Sequence, residues 1–176
     1  MKKAKSCCFI QSAFYSFTEW EEEKEKTEKL KEKITEQIDY LIEKENISEF
    51  FTGMEEGADL FYADYVLSKI KENDLTLCCV IPFEEQAVLY NENERDLYYS
   101  VAQRADCEIM ISRKRISGCR EKRDSLLIEK SDVIILLCDI KSSPEILNFQ
   151  KIEKNKQIIV INPVNSDLNA SFKRIV

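Results

Sequence analysis

The chain has 176 residues, about the size of one ordinary domain, with 44% hydrophobic and 34% charged residues but only 3 Gly and 3 Pro. That composition supports a core beneath a polar surface and excludes disordered and collagen-like chains. The net charge of −7 with no histidine argues against a general nucleic-acid surface and removes Ser–His and Cys–His nucleophile pairs, leaving carboxylates, Lys, Tyr or Cys for any acid–base chemistry.

Lys3–Ile10 opens the chain as a strand, a β-like apolar run around Cys7-Cys8-Phe9. Thr18–Glu45 follows as the most charged helix, with Leu30, Ile34, Ile38, Leu41 and Ile42 in one apolar stripe at helical spacing. Glu22–Lys26 and Glu25–Lys29 are favourable i,i+4 pairs on its wet side. Its apolar seam lasts under two heptads, which favours packing on the chain's own sheet over a coiled coil. Ile47–Thr52 is the second strand, Ala58–Glu72 the second helix and Leu75–Ile81 the third strand. A helix at Glu85–Ala105, a strand at Cys107–Ser112, a helix at Arg120–Lys130 and a strand at Asp132–Cys138 come next. A helix at Pro144–Lys154 and a strand at Gln157–Ile161 close the series. Runs such as Val133-Ile134-Ile135-Leu136-Leu137 lack polar alternation, as strands covered on both faces do.

This alternation predicts an α/β fold: one Rossmann-like, three-layer domain over residues 1–176, its mostly parallel sheet of about six strands flanked by helices on both faces. No apolar run reaches the roughly 18 uncharged residues of a membrane span. The basic start Met1-Lys2-Lys3-Ala4-Lys5 leads into a short, polar-interrupted run without a cleavage site. A soluble, cytosolic protein is the expectation.

Ligands of parallel sheets bind at the carboxyl ends of strands, near the point where strand order reverses. Two of the three glycines follow the second strand, in Thr52-Gly53-Met54-Glu55-Glu56-Gly57-Ala58-Asp59. Glycine permits positive φ and close backbone approach, and a helix N-terminus offers N–H groups to an anion; Asp59 is placed to cap the helix or to accept a ligand hydroxyl. The same residues also suit a tight turn. The third strand ends in Pro82-Phe83-Glu84-Glu85-Gln86, where Phe83 could stack on a flat base and Glu84 could accept ribose hydroxyls, or where the chain simply stops a strand and starts a helix. Residues 113–123 carry Arg113, Lys114, Arg115, Arg120, Lys122 and Arg123 against Glu121 alone, a local charge of +5 in an acidic chain. Such an island suits a phosphate or a solvated loop. The 7 Cys include the adjacent pairs Cys7-Cys8 and Cys78-Cys79 but no CxxC. Neighbouring strand side chains point to opposite faces, so a zinc site is not expected, and disulfides do not fit a cytosolic chain.

Taken in order, Thr52-Gly53…Gly57-Ala58-Asp59-Leu60, then Pro82-Phe83-Glu84-Glu85-Gln86, then Arg95…Ala105-Asp106, then Arg123…Ser131-Asp132 resemble the YpsA-like family. This is an uncharacterised bacterial group within the SLOG superfamily of Rossmann-like domains. Cys7-Cys8-Phe9 is similar to the family's usual first strand, and the likeness covers residues 5–140. The resemblance implies a sheet that binds a nucleotide or nucleotide-derived ligand at its strand ends. Relatives in the superfamily include the LOG phosphoribohydrolases and a DNA-processing protein. Carried over by position, Gly53, Gly57 and Asp59 form one wall of the site, Pro82, Phe83 and Glu84 another, and Arg123 holds the basic position before the fifth strand. The chain departs from the family where Ile10-Gln11-Ser12-Ala13 replaces Thr-Gly-His-Arg, where Asp124 replaces asparagine, and where Asp139-Ile140-Lys141-Ser142-Ser143-Pro144 replaces a Gly-Gly-Thr loop. The glycosidase signature Pro-Gly-Gly-x-Gly-Thr of the LOG enzymes is absent from the sequence.

Three readings follow. The first is a cytosolic binding or sensing module for a nucleotide-derived small molecule, with no catalytic residue and no further cofactor assigned. The second is a degenerate member acting as a protein–protein scaffold, through a protein partner or a homodimer. The third is a carboxylate-dependent hydrolase using Asp59 or Glu84 as base. Neither a membrane nor nucleic acid is an expected partner.

Overall fold

β-Branched and aromatic runs separated by amphipathic segments give a seven-stranded sheet in the computed structural model, which describes residues 4–12, 24–138 and 156–163 and the backbone of 171–173. The strands are β1 (Lys5–Gln11), β2 (Ile47–Thr52), β3 (Thr76–Ile81), β4 (Cys107–Met110), β5 (Val133–Leu137), β6 (Gln157–Ile161) and β7 (Ser171–Lys173). Their order is β4-β3-β2-β1-β5-β6-β7; β1 to β6 are parallel and β7 runs antiparallel to β6. The α/β, Rossmann-like reading therefore holds, with β7 as an unanticipated edge strand of only three residues.

The helices are α1 (Lys24–Glu45), α2 (Ala58–Lys69), α3 (Glu92–Arg104) and α4 (Cys119–Lys130). Cys7 and Phe9 of β1 face one core with α1, α2 and α3, while Cys8 and Ile10 face a second core with Leu127 of α4. Right-handed crossovers dictate this division: the chain steps outward from β1 to β4 with its helices on one face, then returns through α4 on the other. Strand order reverses between β1 and β5, where the Ser12 N–H donates to the Leu137 carbonyl at 3.0 Å. The α1 stripe Leu30, Ile34, Ile38 and Leu41 is fully buried on the sheet, each residue contributing about 1.5–3 kcal/mol of burial. On its wet side Lys29 pairs with Glu25 at 2.6 Å, as spacing predicts. Residues 18–23 of the expected first helix, and the whole of Pro144–Lys154, lie outside the described residues.

Two expectations change. The segment Glu85–Ala105 is not one helix: a single 3₁₀ turn at Gln86–Leu89 is followed by extended Tyr90, and α3 starts only after Asn91. Asn91 caps α3 by accepting the Glu94 N–H at 3.0 Å, and the buried Tyr90 donates its hydroxyl to the Met54 carbonyl at 3.0 Å. A side-chain cap and a buried anchor together outweigh continuous helix propensity. The second change concerns cysteine. Cys78 and Cys107 stand directly opposite each other across β3 and β4, Cα atoms 4.7 Å apart, and are joined as a disulfide. The sequence carries no sign of this pairing, because register brings the two together. The other five cysteines are buried and outside any disulfide.

At the amino edge of the sheet two aspartates perform matching tasks. Asp106, just before β4, accepts the Leu77 N–H at 2.8 Å, and Asp132, just before β5, accepts the Ser6 N–H at 3.0 Å. Each satisfies a strand-end donor on the neighbouring strand, so these two positions of the family pattern serve the sheet and lie at the end opposite the candidate site.

Candidate functional site

At the carboxyl edge β2 must turn directly into α2, and the residues after Thr52 do this by folding around Asp59. The Asp59 carboxylate, in the first turn of α2, points back into the turn. Its Oδ1 accepts the Thr52 hydroxyl at 2.7 Å, and its Oδ2 accepts the N–H groups of Gly53 and Glu55, each at 3.1 Å. Thr52 Oγ1 in turn accepts the Met54 N–H at 3.0 Å. Gly57 precedes α2 at φ 88, ψ −118, a conformation essentially confined to glycine, and its N–H donates to Glu94 Oε2 of α3 at 3.1 Å. The N–H groups of residues 53, 54, 55 and 57 thus all have acceptors within the protein. Burial raises the Asp59 carboxyl to about 7, against the lowering influence of Thr52, the Glu55 N–H and Arg123.

Arg123 reaches this turn from α4. Its guanidinium is buried; Nη1 donates to Glu55 Oε1 and, at 3.4 Å, to the Gly53 carbonyl, while Nε donates to Asp124 Oδ1 at 2.9 Å. Burial alone would lower its pKa, but Asp124 and Glu55 outweigh that and hold it raised. A Cβ on Gly53 would lie only 2.9 Å from Arg123 Nε and 3.0 Å from Cδ. This is why glycine stands at 53: the guanidinium lies against its bare Cα. Asp124, where the family has asparagine, is engaged by that same guanidinium.

Pro82 and Phe83 are buried at the end of β3, whereas Glu84 projects into solvent. Gln86 bridges the two strand ends, its Nε2 donating to the carbonyls of Gly53 at 3.0 Å and Met54 at 3.1 Å. The Phe83 ring is covered by guanidinium groups, Arg115 at 5.9 Å and Arg120 at 6.0 Å from its centroid. Arg120 also pairs with Glu55, Nη1 to Oε1 at 2.9 Å. Gly53, Asp59, Phe83 and Arg123 therefore meet in one network knitted by Glu55 and Gln86. Gly57 joins it through the turn, Pro82 supports its base, and Glu84 stands outside at the rim.

Sequence reasoning passed over three contributors: Glu55 and Gln86 lay inside the marked segments without a role, and Glu94, mid-helix in the expected Glu85–Ala105, gave no signal; Arg120 was marked only as one cation of the basic island. The chemistry available is binding by cations and hydrogen-bond donors. The buried thiols of Cys8 and Cys79 are pushed up to about 12 by desolvation and are poor nucleophiles. Both Asp59 oxygens are turned onto protein donors and away from the rim. Among the described residues, no group of three or more Cys, Asp or Glu converges to hold a metal.

No curated protein matches the chain. The profile of the YspA SLOG family matches residues 14–163, a span that contains the β2–α2 turn, the β3 corner and α4. With the parallel sheet ordered as above and the glycine turn at its carboxyl edge, the chain belongs to the YpsA family of the SLOG group.

Proposed function

We propose that the protein is a cytosolic binding or sensing module for a nucleotide or nucleotide-derived small molecule, held at the carboxyl edge of the sheet. One observation carries the reading: the Gly53 carbonyl receives both Gln86 Nε2 and Arg123 Nη1, so the ends of β2 and β3 and the helix α4 are locked into one preorganised surface. Preorganised polar groups at strand ends are what ligand sites in parallel sheets are built from. In this reading Gly53, Gly57 and Asp59 set the shape of one wall, Pro82 and Phe83 support the second with Glu84 at its rim, and Arg123 fixes the floor between them. Among the described residues no helix is long and apolar enough to cross a membrane. A reducing cytosol would keep Cys78 and Cys107 as a close dithiol pair.

A thermal-shift screen against nucleotides, dinucleotides and ADP-ribose-type compounds tests it. A ligand at a hundred times its dissociation constant adds about 2.7 kcal/mol, or about 5–10 °C in melting temperature at this chain length. No shift across the panel would favour the second reading, a protein-interaction scaffold. That reading has its own support in apolar side chains exposed around the same edge: Val88, Leu89 (85% exposed), Met110 and Ile116.

A further inference from the structure

We propose that the loop between β4 and α4 is an anion site that takes the phosphoryl end of the ligand. The inference rests on the reading above, that this edge binds a nucleotide-derived molecule, and it assigns the phosphoryl group to Arg115 and Arg120 and away from the glycine turn. An open cavity of about 390 Å³ is lined by residues 115–121. On one side of it two guanidinium groups converge on a single buried ring, Arg115 and Arg120 at 5.9 and 6.0 Å from the Phe83 centroid. A guanidinium drawn toward an aromatic face by cation–π attraction can turn its N–H groups onto phosphate oxygens; Arg120 Nη1 is shared with Glu55, and Arg115 is in no ion pair among the described residues.

Charge supports the assignment. Arg123 is enclosed by Glu55 and Asp124, and Arg120 shares Glu55 with it. Arg115 has no carboxylate partner among the described residues, and Arg113, Lys114 and Lys122 are exposed beside it. Glu121 is the one acid in the cavity lining. At physiological ionic strength a field reaches about 8 Å, so an anion here responds to these cations and not to the overall −7. The glycine turn offers no comparable place, because the N–H groups of Gly53, Glu55 and Gly57 already face Asp59 and Glu94.

The test is a calorimetric titration of the full chain with inorganic pyrophosphate, with ADP-ribose and with adenosine, on the wild type, Arg115→Gln and Lys114→Gln. Arg115 is exposed and in no ion pair among the described residues, so its replacement leaves the fold intact. Lys114 is also exposed but outside the cavity lining, and controls for general charge. Losing a charge-assisted pair is expected to weaken pyrophosphate and ADP-ribose about 10–100-fold in Arg115→Gln, with Lys114→Gln within about threefold of wild type. Equal losses in the two variants, undiminished binding in Arg115→Gln, or no pyrophosphate binding by the wild type would each overturn the inference. Adenosine separates the two claims. Adenosine bound without pyrophosphate keeps the nucleotide reading and rejects the anion site; Arg115-dependent pyrophosphate binding with neither adenosine nor any gain from ADP-ribose does the reverse.

Discussion

Gly53 and Arg123 form a contact whose removal can be measured from either side. A methyl on Gly53 would sit 2.9 Å from Nε, 3.0 Å from Cδ and 3.1 Å from Cζ of Arg123. The guanidinium cannot move aside freely, since Glu55, Asp124 and the Gly53 carbonyl hold its nitrogens. Overpacking of this kind costs about 1–3 kcal/mol, so Gly53→Ala is expected to lose that much stability. Arg123→Ala removes one partner of a buried ion pair and leaves Asp124 and part of Glu55 uncompensated, at about 3–5 kcal/mol. The decisive quantity is the double variant. With the guanidinium gone there is nothing left for the new methyl to strike, so Gly53→Ala in the Arg123→Ala background is expected to cost under about 0.5 kcal/mol. Urea unfolding followed by circular dichroism gives all four free energies. Additive costs would refute the reasoning, because they would mean that the glycine is required for something other than the arginine above it.

Asp59 should impose a pH dependence. Its carboxyl is raised to about 7 when folded, from an ordinary 3.8, so between these values the folded chain holds a proton that the unfolded chain has released. Stability therefore falls as pH rises through that window, by at most about 1.4 kcal/mol per pH unit from this group. Burial also raises Asp124, which acts in the same direction in every variant. Asp59→Asn keeps the shape, its amide able to donate to Thr52 Oγ1 while Oδ1 takes the N–H groups, and should flatten the urea-derived profile; an unchanged slope would assign it elsewhere. Gly57→Val forces a β-branched residue to φ 88 and is expected to destabilise by about 1–3 kcal/mol besides deforming the site, so an unperturbed urea midpoint would contradict the turn geometry. After mild oxidation of the purified chain, alkylation under denaturing, non-reducing conditions should find five thiols, and reduction should lower stability by about 3–4 kcal/mol, the entropy of a loop spanning Cys78 to Cys107; seven thiols after oxidation would mean that the pair cannot join.

Much of the fold was legible because its signals are local and repeated. Val133–Leu137 announces a doubly covered strand by lacking polar alternation, and the Leu30–Leu41 stripe announces a helix by its spacing. The break at Tyr90 was not legible in that way, since it depends on a hydroxyl finding the Met54 carbonyl in the distant β2–α2 turn. The disulfide was hidden for the same reason: Cys78 and Cys107 are 29 residues apart, and only the β3–β4 register makes them neighbours. The site shows a similar division. Gly53 and Gly57 stand out as two of 3 Gly, and the basic island stands out by charge. What each does is settled by long-range partners, Arg123 over Gly53 and Glu94 on the Gly57 N–H. Asp59 illustrates the limit most plainly: its position suited a ligand hydroxyl or a helix cap, and its oxygens are turned instead onto the loop that precedes it.

The measurement closest to the central claim is an amide NMR titration of the isotopically labelled full chain with ADP-ribose. Binding at the carboxyl edge predicts saturable shifts concentrated at residues 53–57, 83–86 and 115–121, with the amino-edge amides of Asp106 and Asp132 unmoved. An absence of shifts at millimolar ligand, or saturable shifts centred on the amino edge, would contradict it.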